Sequence, residues 1–177
     1  MLRKELREKL SRLGPEERWR RSQGILVKLF SHPKFLSARS LLTYVALSSE
    51  VETRPVIDEA QKKGKKVYVP RADRMKKKIW AVEMNDPKEL TQGWYGIFEP
   101  PFDSKRVVPA EDLDLVVVPG LGFDHEGGRL GRGEGYFDRF LGEAEKAYKI
   151  GLAFECQIVA KVPHTPQDVI LDEVLIG

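Results

Sequence analysis

The run DLVVV at residues 114–118 constrains the fold of this chain more than any other feature. After its first residue the run is continuously apolar, which is typical of a parallel strand that is covered on both faces. Similar short runs predict strands at 40–46, 66–70, 79–84, 149–154 and 172–176. Segments with helical periodicity separate most of these runs. The alternation predicts an α/β fold with a mostly parallel sheet and helices on both faces.

Four helices are predicted from the spacing of apolar residues and from the residues that start and stop helices. Leucines three to four residues apart mark the first helix, Gly14-Pro15 separates it from the second, and His32-Pro33 ends the second. The predicted bounds are 2–13, 15–30, 53–63 and 134–147. No linker, repeat or low-complexity segment interrupts these elements, so we expect one domain over residues 1–177.

Composition and charge exclude several classes of protein. With 177 residues, 41% of them hydrophobic, and a net charge of +3, the chain is too apolar and too weakly charged to be disordered. No apolar run approaches the ~20 residues that span a membrane, and the N-terminus lacks an apolar leader segment. Cys156 is the single cysteine, which excludes an internal disulfide and a cysteine-rich zinc site. These features predict a soluble cytoplasmic protein without a membrane partner, and we expect it to be a monomer.

The glycine-rich segment 119–140 is the first candidate for a functional site. It holds 7 of the 15 glycines and directly follows the strand at 114–118, and open α/β sheets bind ligands beyond the carboxyl ends of strands. Glycine lets N–H groups approach a ligand closely, and successive N–H groups before a helix attract anions. Arg129, Arg132 and Arg139 add positive charge. The segment predicts phosphate binding; the alternative is a flexible loop whose glycines only form turns.

The familiar nucleotide-binding motifs do not fit this segment. A Walker A sequence needs Gly-Lys-Ser/Thr, which occurs nowhere in the chain. The pattern GxGxxG fails from Gly120, where the sixth residue is His125, and from Gly131, where it is Tyr136. Neither a P-loop NTPase nor a dinucleotide-dependent oxidoreductase is therefore supported.

Five segments together resemble the 5-formyltetrahydrofolate cyclo-ligase family, also called 5,10-methenyltetrahydrofolate synthetases. They are RKELR (3–7), EVET (50–53), PGLGFD (119–124), RLGRGEGYFDR (129–139) and DVILDEVL (168–175). The resemblance covers nearly the whole chain, in order and at plausible spacing, and the RLGRGEGYFDR block is its most specific part.

The resemblance implies an ATP- and Mg²⁺-dependent enzyme with the fold of a three-layer α/β/α sandwich. The implied reaction converts 5-formyltetrahydrofolate to 5,10-methenyltetrahydrofolate and releases ADP and phosphate. It proceeds through a phosphorylated formyl group and ring closure by N10 of the folate. ATP and 5-formyltetrahydrofolate are thus the implied partners, and a polyglutamylated folate is one form that the substrate can take.

The resemblance also assigns roles to residues at matching positions. Those implied to bind ATP are Arg3, Lys4, Glu5, Leu6, Arg7, Arg129, Leu130, Gly131, Arg132, Gly133, Glu134, Gly135, Tyr136 and Phe137. Those implied to bind the folate are Val45, Glu50, Arg132, Gly133, Glu134, Gly135 and Tyr136. Asp138 and Asp168 match the Mg²⁺-binding positions, and we expect Arg132 to stabilise the transferring phosphoryl group as the catalytic residue.

Two residues depart from the family pattern. Phe137 stands where a second tyrosine is usual, so only ring stacking remains there. Glu134 stands where glycine or lysine is common, and we expect it to point to solvent or to pair with an arginine. Nearby, Trp94 and Tyr95 are consistent either with core packing or with stacking on a flat heterocycle, and Asp124 is interpreted as a turn-former.

Several of these residues also have plain structural interpretations. Lys4 and Arg7 fit the solvated face of an amphipathic helix, and Asp138 fits the favourable place of an acid in the first turn of a helix. Glu50 fits an ordinary loop carboxylate, although a carboxylate also suits the N–H edge of a pterin ring.

The basic half of the chain supports competing functions. Residues 62–78 contain nine basic residues among seventeen, and residues 1–78 carry 21 Lys and Arg against 9 Asp and Glu. The stretch 62–78 fits a solvated edge, a dock for a polyglutamate tail, or a nucleic-acid surface. A nucleic-acid-binding protein leaves RLGRGEGYFD unexplained, so we expect no nucleic-acid partner. A diverged family member that acts on another carboxylated substrate, or only binds nucleotide, is the remaining alternative.

Overall fold

The computed structural model describes residues 1–177, apart from the side chain of Trp94. The strands are β1 (Ser40–Thr43), β2 (Lys66–Asp73), β3 (Lys78–Glu83), β4 (Thr91–Gln92), β5 (Phe98–Glu99), β6 (Val107–Val108), β7 (Leu115–Val118), β8 (Gly122–Phe123), β9 (Arg129–Leu130), β10 (Tyr148–Ala153) and β11 (Glu173–Ile176). The helices are α1 (Leu2–Ser11), α2 (Pro15–Ser31), α3 (Pro33–Ser37), α4 (Arg54–Lys62) and α5 (Tyr136–Glu143). In the described part of the chain, every helix is too short or too polar to cross a lipid bilayer.

Seven strands form the central sheet, in the order β11-β10-β7-β1-β2-β3-β6. The neighbours from β11 to β2 pair in parallel, whereas β3 and β6 pair antiparallel at one edge. Every predicted strand lies in this sheet, so the mostly parallel sheet is confirmed. The strands β4 with β5 and β8 with β9 form two small separate hairpins.

Helices cover both faces of the sheet. Successive side chains of each central strand point to opposite sides, so apolar residues on both faces need to be buried. In β1, Leu41 packs in a core with helices α2, α3 and α4, while Leu42 packs in a second core with α5. The residues of β7 divide in the same way, with Leu115 on the first side and Val116 on the second. The predicted three-layer α/β/α sandwich is confirmed.

The predicted bounds of several elements need correction. His32-Pro33 ends α2 as predicted but also starts α3, since the Lys34 N–H donates to His32 Nδ1 at 3.1 Å. The last predicted helix is shorter than 134–147, because Gly135 lies in the left-handed region with φ 67° and α5 begins only after it. The glycine-rich segment is more regular than a loop, since it contains the hairpin of β8 and β9.

Candidate functional site

The sheet order reverses between β1 and β7, and open α/β sheets bind ligands in the crevice outside such a reversal. From β1 the sheet grows through β2 on one side and through β7 and β10 on the other. The segment 44–53 leaves the carboxyl end of β1 and carries Val45 and Glu50. The segment 119–135 leaves the carboxyl end of β7. The topology therefore places two parts of the predicted site side by side.

An ion pair joins these two segments directly. Nη2 of Arg132 lies 2.8 Å from Oε1 of Glu50, across 82 residues of sequence. The second carboxylate oxygen of Glu50 accepts a hydrogen bond from the Leu47 N–H at 2.9 Å. The Glu50 side chain is only 10% exposed, whereas that of Arg132 is 43% exposed. The predicted folate-binding carboxylate is thus held in its loop, and the predicted phosphate-binding arginine reaches across to it.

The backbone beside Arg132 has the character of an anion-binding nest. In the described structure, the N–H groups of residues 132–135 donate to no protein acceptor. Gly133 and Gly135 have φ values of 117° and 67°, which residues with a side chain rarely adopt. The N-terminus of α5 follows directly, so its positive dipole end faces the same region. These groups can bind phosphate oxygens without any side-chain base or nucleophile.

Asp124 holds the hairpin under this nest in shape. Its carboxylate accepts hydrogen bonds from the N–H groups of Gly128 at 2.7 Å, Val162 at 2.8 Å and Glu126 at 3.0 Å. Burial raises the pKa of Asp124, but these three hydrogen bonds outweigh it and hold the pKa below the ordinary value. Asp124 is therefore a turn-former, as predicted, and it also ties the hairpin to the segment around Val162.

The predicted N-terminal ATP segment lies beside the nest, but its residues differ in what they do. Nε of Arg3 donates to the Gly131 carbonyl at 3.0 Å, which fixes α1 against the loop. Lys4 and Arg7 are exposed, whereas Glu5 pairs with Lys9 at 2.8 Å.

Leu6 differs from its neighbours in α1 because its side chain is fully buried, where it packs with Leu130 and Val162. The side chains of Leu6 and Leu130 thus support the segment from beneath, and a contact of either residue with ATP would have to be made by the backbone.

Arg129 is buried beneath the loop rather than exposed to a ligand. Its Nη2 lies 2.6 Å from Oδ1 of Asp138, and Nη1 donates to the Pro119 carbonyl at 3.2 Å. The Arg129 side chain is 4% exposed, and its guanidinium lies 5.9 Å from the centre of the Phe137 ring. Its Nε has no hydrogen-bond partner in the described structure. Arg129 therefore links the hairpin to the first turn of α5.

The two predicted magnesium ligands each keep one carboxylate oxygen without a hydrogen-bond or ion-pair partner among the described protein atoms. Asp138 uses Oδ1 for Arg129, and Asp168 uses Oδ2 for the Thr165 N–H at 2.6 Å and the Thr165 hydroxyl at 3.1 Å. Among the described side chains, no group of three or more His, Cys, Asp or Glu forms a metal site. The donor set fits Mg²⁺ that is held mainly by phosphates and water, with one or two carboxylates.

The remaining predicted residues line the rim of the site. Val45, Tyr136 and Phe137 are half-buried against the two cores. Glu134 is exposed, and its carboxylate accepts a hydrogen bond from the Tyr95 hydroxyl at 3.4 Å rather than pairing with an arginine. Tyr95 is 66% exposed, which excludes the core interpretation for this residue, and the side chain of Trp94 lies outside the described structure.

Two cavities lie outside the junction of Arg132 and Glu50. One of about 310 Å³ is lined by Asp114, Tyr148 and Asp172, near the amino ends of β7, β10 and β11. Another of about 630 Å³ lies between β3, β6 and α5. Neither cavity contains the Arg132–Glu50 pair, so the chemistry of its residues, and not an enclosed volume, distinguishes the candidate site.

For Arg139 the sequence predicts only a positive charge near the glycine-rich segment. In the structure its Nε donates to the Lys77 carbonyl at 2.7 Å and its Nη2 to the Glu134 carbonyl at 3.0 Å. The first contact spans 62 residues, so no local sequence pattern reveals it.

Comparison with known proteins identifies relatives along the entire chain. The sequence model of the 5-formyltetrahydrofolate cyclo-ligase family matches residues 1–177. The mouse 5-formyltetrahydrofolate cyclo-ligase is 33% identical over 184 residues, covering 98% of this chain and 91% of its own. The enzyme of that name from Escherichia coli K12 is 28% identical over 173 residues, covering 96% of this chain and 95% of its own.

Solved structures agree with these relatives. The NMR structure of Aquifex aeolicus 5,10-methenyltetrahydrofolate synthetase superimposes with a TM-score of 0.82 at 33% identity, covering 99% of this chain and 90% of that one. The structure of the 5,10-methenyltetrahydrofolate synthetase from Mycoplasma pneumoniae superimposes with a TM-score of 0.77 at 23% identity, covering 98% of this chain and 95% of that one. At this identity the similarity supports the fold alone.

Proposed function

Because this chain belongs to the 5-formyltetrahydrofolate cyclo-ligase family, we propose that it is the ATP-dependent enzyme that converts 5-formyltetrahydrofolate to 5,10-methenyltetrahydrofolate. The observation that carries the proposal is the Arg132–Glu50 ion pair at 2.8 Å. It joins a loop suited to phosphate with a carboxylate suited to the N–H edge of a pterin. A reaction between ATP and a folate needs such a junction, whereas a nucleotide-binding module does not.

The chemistry explains why these residue types suffice. The oxygen of a formamide is a poor leaving group, and transfer of the γ-phosphoryl group from ATP to that oxygen turns it into a good one. N10 of the same folate then attacks the formyl carbon, closes a five-membered ring and gives up its proton, which leaves with the phosphate. Expulsion of phosphate leaves the methenyl cation, with ADP as the other product. Since the ring closure is intramolecular, positioning supplies much of the rate.

The chain's own residues would position the groups and neutralise charge during phosphoryl transfer. The N–H groups of residues 132–135 would bind phosphate oxygens, and the Arg132 guanidinium would move from Glu50 to the transferring phosphoryl group. Glu50 would bind the pterin N–H edge, with Val45 and Tyr136 beside the rings. Arg3 would hold α1 against the nest, so that Lys4 and Arg7 lie near the nucleotide phosphates.

Magnesium is proposed to enter as the partner of ATP. Its protein contacts would be the unpaired oxygens of Asp138 and Asp168, and the ion would supply charge neutralisation to the phosphates. We also propose that the protein is cytoplasmic and monomeric. Short edge strands support the monomer, since β6 has two residues and β11 has four.

The polyglutamylated folate is proposed as a substrate form because the hairpin between β2 and β3 lies next to the site. The carbonyl of Lys77 in this hairpin is bonded to Arg139 of α5, and Lys76 and Lys78 flank it. An acidic tail that leaves the folate on this side would meet these lysines.

The growth of the methenyl chromophore tests the proposal. Purified protein with Mg²⁺, ATP and 5-formyltetrahydrofolate should form it, with one ADP and one phosphate for each product. Omission of ATP, or its replacement by a non-hydrolysable analogue, should abolish turnover. Nucleotide binding without product would favour the diverged family member, which acts on another carboxylated substrate or only binds nucleotide. Product without ATP consumption would contradict the mechanism.

A further inference from the structure

Arg139 in the first half of α5 connects three parts of the candidate site. Its Nε donates to the carbonyl of Lys77 at 2.7 Å, and its Nη2 donates to the carbonyl of Glu134 at 3.0 Å. Its guanidinium also lies 5.3 Å from the centre of the Tyr136 ring. One side chain thus contacts the hairpin between β2 and β3, the nest and an aromatic residue at the rim.

The bond to Glu134 determines where the nest points. The C=O and N–H groups of a trans peptide point in opposite directions, and the described chain contains no cis peptide. When Arg139 holds the Glu134 carbonyl, the Gly135 N–H is directed away from Arg139. That N–H has no protein acceptor in the described structure. The side chain therefore orients a donor of the nest without itself needing to contact a ligand.

The space around Gly135 shows how closely Arg139 packs on the loop. A Cβ atom at Gly135 would lie 3.0 Å from Nη1 of Arg139, in addition to the unfavourable φ of 67°. The guanidinium therefore packs closely on the loop backbone at Gly135.

The bond to Lys77 holds the tip of the hairpin. Lys77 has a φ of 49°, a left-handed conformation that costs energy in a residue with a side chain. Its carbonyl is the acceptor of the shorter of the two Arg139 bonds. The hairpin tip is therefore docked on α5 at the same side chain that orients the nest.

We propose that Arg139 is a positioning residue for nucleotide binding, which aligns the nest through the Glu134 carbonyl and docks the basic hairpin through the Lys77 carbonyl. The proposal rests on the proposed function of the site. It assigns Arg139 a geometric role, in which two donors of one planar guanidinium serve two acceptors at once. A lysine does not reproduce this arrangement, because its donors all lie on one nitrogen at the end of a flexible stem, whereas Arg139 uses two nitrogens held in one plane.

The test compares Arg139→Ala, Arg139→Lys and the matched control Arg20→Ala. Arg20 is also an exposed helical arginine, paired with Glu17 at 2.8 Å on α2. Steady-state kinetics give kcat and the KM of each substrate, and thermal unfolding gives Tm. Calorimetry in the presence of magnesium gives the Kd with which the protein binds a non-hydrolysable ATP analogue. We expect Arg139→Ala to raise the KM for ATP and the Kd of the analogue by roughly 10- to 100-fold, as for a misplaced binding group.

With the monoglutamate form of the folate as substrate, we also expect a small change in its KM, at most partial rescue by Arg139→Lys, and wild-type behaviour of Arg20→Ala. Full rescue by lysine would overturn it, because charge alone would then explain the effect. Unchanged nucleotide affinity in Arg139→Ala would overturn it as well, as would an equal rise of both KM values. A wild-type protein that neither binds nucleotide nor forms product would instead contradict the proposed function.

Discussion

Replacement of Arg132 by alanine separates catalysis from stability at the centre of the site. Arg132 is flanked by Gly131 and Gly133, so neither neighbour crowds its approach to a phosphoryl group. In the structure its guanidinium pairs with Glu50 at 2.8 Å. The substitution removes the side-chain charge that this loop extends towards Glu50, while the N–H groups of residues 132–135 stay in place.

The expected effects on rate and stability differ in size. Arginines that stabilise a transferring phosphoryl group contribute on the order of 10³-fold or more to kcat, or about 4 kcal/mol of activation free energy. The Arg132 side chain is 43% exposed, and pairs of that kind contribute ~0.2–1 kcal/mol to stability. Glu50 also keeps its hydrogen bond from the Leu47 N–H. For a domain of this size, the Tm should therefore fall by no more than about 4 °C.

The assay measures the initial rate of methenyl formation at saturating ATP and folate, together with the thermal midpoint, for Arg132→Ala, Arg132→Lys and Arg20→Ala. Lysine should restore little, because a point charge does not reproduce the planar donor fork. Arg20→Ala, which breaks an exposed pair of the same length, should keep wild-type turnover. The reasoning is refuted if Arg132→Ala retains kcat within tenfold of wild type, or if its loss of activity parallels a loss of folded protein.

Three further outcomes are expected. Asp124→Asn should lower the free energy of unfolding in urea by about 3 kcal/mol at neutral pH, because three N–H groups lose a charged acceptor. Since the pKa of Asp124 is lowered, the extra unfolding free energy of the wild type should be complete above about pH 4 and disappear as the pH falls through the lowered pKa. A difference in unfolding free energy that persists in strong acid would contradict this expectation. Gly127→Ala should lower the Tm strongly, because φ is 86° and the new Cβ would lie 2.2 Å from the Leu171 carbonyl oxygen, whereas Gly142→Ala, with open space around it, should not. Replacement of Lys76, Lys77 and Lys78 by alanine should raise the KM for polyglutamylated folate far more than the KM for the monoglutamate. An equal effect on both KM values would support the interpretation of the hairpin as a solvated edge. Salt-sensitive binding of an RNA oligonucleotide by the wild type alone would favour the nucleic-acid alternative.

Local chemistry was sufficient to determine the architecture from the sequence. The uninterrupted apolar residues of β7 require burial on both faces, and that requirement is met only when helices cover both sides of the sheet. Prolines at the starts of α2 and α4 mark helix starts because they need no N–H partner there. The glycines and arginines of the 129–139 block likewise indicate phosphate chemistry, because their backbone freedom and charge are properties of the residues themselves.

Some local predictions failed where tertiary contacts override them. The hairpin of β8 and β9 looks like a glycine loop in sequence, and it forms because the buried Asp124 carboxylate gathers N–H groups from both the turn and the distant Val162. The resemblance implies that Arg129 binds ATP, and that role stays a prediction; what the sequence does not show is that the Arg129 side chain is buried against Asp138. The sequence shows the charged residues Arg129 and Asp138, but it does not show which charged side chains become buried.

Only the tertiary structure decided which functional residues meet. The order of strands in the sheet places the ends of β1 and β7 together, and this brings Arg132 to Glu50 across 82 residues. The contacts of Arg3 with Gly131 and of Arg139 with Lys77 span 128 and 62 residues. A helical or strand period carries information over a few neighbouring residues. Contacts of this length depend instead on how the two cores pack the elements against the sheet, because burying the apolar faces is what selects one strand order and one placement of each loop.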